Sequence, residues 1–456
     1  MSFTFIFLAR ELTVEEYGEY GILKSTIDSF LVFATAGLSI TATRFITDPK
    51  YTKYIGDILG LIFGLVFFTG FFVALSISFF SDFISSTFLH KENLSLGLKI
   101  ASITLLFTAY NAIQQGTLLG FKDFRGQTLV NIVHGLTFFC FVVVSSKIGK
   151  VDGAILGGLL GMAITVVYSS YRVKKITNKS EIQIKIRTTH LKEILSFSIP
   201  AVASSLIVVP MMWVLNVILV NQDDGYLQLG IYNAVYIIPS IITLMNNIIG
   251  NSMLPFFLEK DKKDNYKRKL QLNYLANWLI AIFICFVIVG FQEFISFILG
   301  ANYPLEKIKS ILILSLSSSI LIALRQGIAR NLILKNKMWL SVYSMLQYSA
   351  TTLFVFYFIL KGRGAEGLSL SIFIGYVSNT FLFTPYFVYK QLAPSNIFFD
   401  KRIIFIAFFS LIVLIANIYP IPVIFRFLFL IISFVIIVSF LKKYLNDKKI
   451  ILDSQD

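Results

Sequence analysis

LARELTVEEYGEYGILKSTIDSFLVFATAGLSITATRF, residues 8–45, decides how the rest of the chain is read. A polar turn from Arg10 to Tyr20 gives way to an apolar run about 24 residues long, enough to cross a bilayer as a helix. Lys24 and Asp28 lie one helical turn apart near its start, where they can pair, and Arg44 closes its far end. Ionisable groups inside such a helix are costly and require a purpose.

The composition generalises that reading. Of 456 residues, 56% are hydrophobic and only 14% charged, with a mean hydropathy of +0.77 and 46 phenylalanines. Soluble domains are about a quarter charged, so the chain reads as a polytopic membrane protein. Further apolar runs at 1–9 (incomplete), 57–81, 95–119, 128–147, 153–173, 193–220, 228–257, 270–299, 308–334, 339–361, 365–390, 402–418 and 421–444 bring the total to about fourteen helices. The formal net charge of +15 does not indicate nucleic acid, since no binding pattern for it is present. About 27 of the 40 Lys and Arg fall in alternate connections, from Arg44/Lys50/Lys53 to the tail Lys442–Lys449. The intervening ones hold about 8 and include the acidic turn Glu11–Glu19. That alternation predicts both termini in the cytoplasm. Cys140 and Cys285 sit within apolar runs, so no disulfide or metal framework is expected.

An internal repeat divides the chain. GKVDGAILGGLLGM from Gly149 matches RGAEGLSLSIFIGY from Arg363, with Gly153 on Gly367 and Gly161 on Gly375. Nearer the front, Tyr17 falls on Tyr226, Gly21 on Gly230 and Ile22 on Ile231. Both copies keep the same sidedness, which predicts two six-helix lobes related by a parallel pseudo-twofold, with a cavity between the halves. The expected domains are 1–180, 181–400 and a C-terminal helix hairpin with its tail at 401–456, in an all-α fold. Helix seven precedes Asn221 by about 27 residues, whereas its counterpart has only Met1 to Ala9 before Arg10. Helix one therefore reads as truncated. The linker Glu181–Arg187 alternates apolar and polar residues and is expected along the cytoplasmic headgroups.

No pattern for covalent chemistry is present, neither a phosphate loop, a paired-His metal helix nor a nucleophile triad, so neither enzyme activity nor a cofactor is expected. Gly153, Gly157, Gly158 and Gly161 read as helix packing rather than a nucleotide cradle. His90, His134 and His190 lie near helix ends or loops and read as structural. The informative residues are ionisable or amide groups within spans. Arg325, past the middle of the tenth apolar run, suits phosphate oxygens, which a guanidinium grips bidentately; an inter-helix bond is the alternative. Asn111 is its repeat counterpart, and Gln114, Gln115 and Gln326 extend the polar surface. Arg330 lies about 140° around the helix from Arg325 and either joins the site or snorkels. Lys24 belongs to an exit path or to a structural pair, and Asp28 is the candidate for binding a coupling ion. Asn246, Asn247 and Asn251 make a polar stripe between Pro239 and Pro255, while Arg44, Lys99, Glu293 and Arg426 at span ends read as snorkelling.

The order Ala9-Arg10, Leu12-Thr13, Glu15-Glu16-Tyr17-Gly18 and Tyr20-Gly21, set between two spans, resembles the opening of the Wzx-type O-antigen flippases. Those belong to the polysaccharide-export branch of the multidrug/oligosaccharidyl-lipid/polysaccharide (MOP) exporter superfamily. The resemblance implies a flippase in a prokaryotic plasma membrane that carries an undecaprenyl-pyrophosphate-linked or related polyprenyl-linked oligosaccharide between leaflets by alternating access. Its partners would be the lipid-linked glycan, the lipid bilayer, and a polysaccharide polymerase or glycosyltransferases. Many relatives carry a charged residue near Asn216, which this chain lacks. The alternatives are an ion-coupled multidrug or small-molecule antiporter of the same superfamily, and a membrane polymerase or ligase. The last usually needs a large external loop, and none here exceeds about 15 residues.

Overall fold

The structure, a computed structural model, describes residues 2–258, 263–335, 337–435 and 438–439. Among these there are helices and connections but no strands. Among the described residues, helices fall within each of the fourteen apolar runs. In order they are α1 (Ser2–Glu11), α2 (Val14–Thr35), α3 (Leu38–Thr47), α4 (Ile55–Phe79), α5 (Leu94–Gly120), α6 (Phe124–Lys179), α7 (Leu191–Val202) and α8 (Ser205–Val220). There follow α9 (Gly225–Leu258), α10 (Lys263–Gly290), α11 (Gln292–Leu299), α12 (Leu305–Leu334), α13 (Met338–Phe354), α14 (Gly364–Tyr389), α15 (Lys401–Ala416) and α16 (Val423–Val435). Among the described residues seven helices are long and apolar enough to cross a bilayer, or up to ten when three bent pairs count as single spans. The 56-residue α6 carries two of the predicted spans, divided by non-helical torsions at Gly149 and Lys150. Rows of exposed aromatics such as Phe67, Phe68, Phe71 and Phe72 on α4 fit a hydrocarbon surround and no aqueous one.

The span expected as one helix over 22–46 is broken. Ala36 and Gly37 both take positive φ, 43° and 73°, which ends α2 and starts α3 at an angle of 42°. At its other end α2 is fixed by a capping box: Thr13 Oγ1 accepts from Glu16 N–H at 3.2 Å, and Glu16 Oε2 accepts from Thr13 N–H at 3.0 Å.

The chain packs as two units, residues 1–234 with 338–368, and residues 235–337 with 369–456. In the first, α2 is held on α8 by polar contacts: Trp213 Nε1 donates to Thr26 Oγ1 and Asn216 Nδ2 to Ser25 Oγ, each at 2.9 Å. The starts of α2 and α9 approach until backbone meets backbone. A Cβ on Gly18 would lie 1.9 Å from Tyr226 O, and one on Gly230 1.9 Å from Val14 O. Lys91 then binds Glu15 at 2.6 Å and Glu19 at 2.5 Å, while Lys150 binds Glu16 at 2.7 Å. Burial works to lower the Lys91 pKa, but its hydrogen bonds to the two carboxylates outweigh that and hold it above the ordinary lysine value.

Gly153, Gly157 and Gly161 pack directly on the backbone at Ser145, Phe141 and Phe138, so that run is a helix-crossing face, as its spacing predicts. The linker is also seated on protein. Lys185 N–H donates to Gly56 O at 3.2 Å, Arg187 pairs with Asp57 at 3.4 Å, and Gly56 and Gly60 leave room for the backbone of Gln183 and Lys185. A trough of glycines at i, i+4 on α4 receives it.

Asp123 caps α6 through Gly126 N–H at 2.9 Å and pairs with Arg172 at 2.7 Å. Partial burial raises its pKa, but these two interactions outweigh it and the net shift is downward from 3.8. A depressed carboxylate stabilises the fold above its unfolded pKa, and that contribution is lost as pH falls through the folded value. Asp123→Ala is expected to cost about 1–2 kcal/mol, a lost cap plus a weak pair, read as a lower melting temperature in detergent. The difference from the parent should shrink below pH 4, the region of the unfolded value.

In the second unit α12 is the enclosed helix, with 89% of its most apolar 18-residue window buried. Ser317, Ser318 and Ser319 are tolerated there because each hydroxyl donates to a carbonyl four residues back, at 2.8–3.0 Å. Arg426, read as snorkelling, is instead 6% exposed, with Nη2 donating to Glu293 Oε1 at 2.5 Å.

Candidate functional site

The second unit gathers an amide-and-guanidinium cluster on α9, α10 and α12. Asn277 of α10 is fully buried; its Nδ2 lies 3.3 Å from Asn246 O of α9 and 3.3 Å from Gln326 Oε1 of α12. With the amide turned the other way, its oxygen accepts from Arg330 Nη2 and Nη1 at 3.1 and 3.2 Å. This orientation gives the guanidinium an acceptor and is the better electrostatic arrangement. In that orientation an amide from the neighbouring helix meets Arg330. The Asn246 side chain, 1% exposed, lies on the same helix-to-helix seam. Asn247 and Asn251, the rest of the expected stripe, have side chains outside the described residues.

Arg325 is 9% exposed on α12, so its guanidinium does not face the acyl chains. The Tyr274 ring lies flush on Gly327, where a Cβ would be 2.4 Å from Cδ1. The C-terminal end of α12 is tied down. Asn331 Nδ2 and Tyr274 OH both donate to Leu392 O, at 2.5 and 3.3 Å, and Lys335 Nζ donates to Gln391 O at 2.9 Å. Past Glu306 in its first turn, α12 carries two guanidiniums and no acid. Such a helix offers positive charge and amide donors, which suits a phosphate oxygen and repels an organic cation.

The first unit holds the other expected residues separately. Lys24 and Asp28 pair with one another, their side chains 41% and 50% exposed. Asn111 is buried in α5. Gln114 donates from Nε2 to Ser170 Oγ at 2.7 Å and Val166 O at 3.3 Å, and Gln115 to Asn131 Oδ1 at 2.9 Å. Both amides link α5 to α6. The structure thus brings together Gln326 and Arg330, and separately Lys24 and Asp28. Asn277 and Tyr274 were not singled out from sequence, although an Asn eight residues before Cys285, inside the apolar run 270–299, is a visible polar interruption. Among the described residues no cluster of three or more His, Cys, Asp or Glu exists that could hold a metal. His134 is buried against Thr165 Oγ1 at 3.2 Å, and His190 pairs with Glu193 at 3.1 Å, both structural as expected.

A family model described as polysaccharide biosynthesis protein matches residues 2–261. The chain belongs to the polysaccharide biosynthesis protein family. No curated protein matches this polysaccharide biosynthesis protein. Its fold is shared with solved membrane transporters. The lipid II flippase MurJ, in an inward closed conformation, superposes with a TM-score of 0.71 over 98% of this chain and 96% of that one, at 14% identity. An inward-facing multidrug resistance MATE transporter of the MOP superfamily gives 0.64 over 86% and 94%, at 16% identity. A MOP-superfamily transporter from Pyrococcus furiosus, whose binding pocket is described as having reversed polarity, gives 0.52 over 82% and 87%, at 16% identity. These neighbours are transporters and flippases rather than enzymes. The polysaccharide biosynthesis protein is thus a multi-pass membrane protein with the MOP transporter fold.

Proposed function

We propose that this polysaccharide biosynthesis protein is a flippase of the Wzx type, moving a polyprenyl-pyrophosphate-linked oligosaccharide across the plasma membrane of a prokaryote. The observation that carries the reading is the charge on α12: Arg325 and Arg330 lie with Gln326 on the most enclosed span, and Asn277 meets Arg330 from α10. Guanidiniums and amides in that setting favour the pyrophosphate of a lipid-linked sugar, whose prenyl tail stays in the bilayer. Two six-helix lobes, 1–180 and 181–400, alternate access, the hairpin 401–456 follows them, and both termini lie in the cytoplasm. Asn111 is the counterpart of Arg325 in the other repeat copy. Lys24 and Asp28, which are paired and half exposed, serve the exit path or a coupling ion. Gln114 and Gln115 shape α5 against α6 more than they reach for cargo.

The test is leaflet exchange. Purified protein in vesicles carrying a fluorescent polyprenyl-pyrophosphate disaccharide is expected to expose inner-leaflet label to a membrane-impermeant quencher faster than protein-free vesicles do. Equal rates would reject the flippase. The MATE-like fold favours a second reading, an ion-coupled antiporter of small molecules. That reading predicts gradient-driven efflux of a cationic dye from the same vesicles and no exchange of the lipid.

A further inference from the structure

The acidic turn, read from sequence as a connection poor in Lys and Arg and as a family marker, is joined to a second segment by a short loop. Residues 88–91 connect the end of the third span to α5, and both of their neighbours grip them. From the second repeat copy, Asn221 Nδ2 donates to Phe88 O at 2.9 Å and Tyr226 OH donates to Leu89 O at 2.7 Å. From the first copy, the Glu15 and Glu19 carboxylates accept from Lys91 at 2.6 and 2.5 Å. The Lys91 ammonium also lies 4.6 Å from the centre of the Tyr226 ring. Between them His90 is held at φ 49°, a left-handed conformation unusual for a residue with a side chain, and persisting here because both sides of the loop are tied.

Beneath this strap the starts of α2 and α9 meet through glycine. Gly18 lies against Tyr226 O and Gly230 against Val14 O, while a Cβ on Gly21 would lie 1.9 Å from Asn233 Nδ2. Tyr17 and Gly21 correspond by repeat to Tyr226 and Gly230, so the same segment of each copy contributes to this seam. Glycine against backbone leaves few interlocking side chains there. Two hydrogen bonds and one cation–π contact then fasten the strap across the seam, interactions individually modest enough for a two-state transition to break.

We propose that the strap Phe88–Lys91 is the latch that closes this end of the transport route, and that cargo leaves only once Asn221 and Tyr226 release it. The inference rests on the flippase reading in taking the two repeat copies to move apart, and it adds which contacts hold them. Lys91 is a positioning residue: it fixes the strap in the acidic turn so that the carbonyls of Phe88 and Leu89 face their donors.

The experiment uses the full chain with Cys140→Ser and Cys285→Ala, spin-labelled at Glu11→Cys and Asp223→Cys. Both label sites are exposed and lie outside the strap. Distances are read by double electron–electron resonance in vesicles without cargo. The parent is expected to give a short-distance population. Asn221→Ala combined with Tyr226→Phe, which leaves the ring and every charge in place, is expected to add a longer one. Lys91→Met should do the same, whereas Lys91→Arg should keep the short distance. A short distance retained in both the double variant and Lys91→Met, with the size-exclusion profile intact, would overturn the latch. The vesicle assay separates this from the parent reading. Opened labels without lipid exchange would support the latch and reject the flippase, and unchanged labels with normal exchange would do the reverse.

Discussion

Arg325→Ala is expected to abolish surface polysaccharide while the protein remains at its normal level in the membrane. Arg325→Lys should retain part of it. A guanidinium offers two parallel donors to a phosphate, and a charged hydrogen bond is worth about 1.5–3 kcal/mol. Losing two of them would weaken cargo binding by more than about a hundredfold, since about 1.4 kcal/mol is tenfold. Lysine keeps the charge but not the fork. The side chain is 9% exposed, so a truncation also removes packing, and Arg325→Met is the volume-keeping control. The readout is polymer on the cell surface against protein level by immunoblot. Normal polymer from the Ala and Met variants would assign Arg325 to helix packing and leave Arg330, with Asn277 and Gln326, as the remaining cationic group.

Gly18→Ala is expected to be the most destabilising single-methyl change in the first unit. The added Cβ would lie 1.9 Å from Tyr226 O and 2.8 Å from its carbonyl carbon. Neither atom is the free end of a flexible side chain, so α2 and α9 would have to separate. Overpacking of this kind costs about 1–3 kcal/mol even where side chains give way, and a backbone obstacle should place it at or beyond the upper end. Gly230→Ala meets Val14 O at the same distance and should behave alike. Gly135→Ala is the control: nothing lies within 4 Å of its Cβ, and alanine suits a helix better by about 1 kcal/mol. Thermal unfolding in detergent, followed by size-exclusion chromatography, should show the first two well below the parent and the third at or above it. A melting point for Gly18→Ala equal to that of Gly135→Ala would mean that the two helix starts do not meet.

Much of this was legible in the residues, for physical reasons. Hydrocarbon length and apolar runs locate spans because every backbone group in a bilayer must be satisfied within its helix. That is why the described part of every apolar run holds helix, and why an all-α class followed from composition. Gly153, Gly157 and Gly161 read correctly as packing because small residues at i, i+4 and i+8 make one flat helix face. The same signal at Gly56 and Gly60 went unused, and with it the seat of the linker. The break at Ala36–Gly37 was hidden inside an uninterrupted apolar run, since hydropathy does not register backbone torsion. The site was less legible than the fold. Gln114, Gln115 and Arg330 are alike in sequence, polar groups within spans. What separates them is whether a neighbouring helix supplies a partner, and that depends on packing between segments far apart in the chain. Asn277 shows the converse, an unremarked amide made important by what it meets. The Wzx-like opening also takes on physical content. Its glutamates hold Lys91 and Lys150, and its glycines admit α9.

The two-residue break in α6 bears on how fast the protein can cycle. Gly149 and Lys150 reverse the chain with no loop at all, and Glu11 to Val14 or Asn221 to Gly225 are scarcely longer. Nothing there has the length to swing across an opening as a flap. On the flippase reading, opening at these turns would come from whole helices tilting, motions of microseconds to milliseconds rather than the nanosecond flicker of a surface loop.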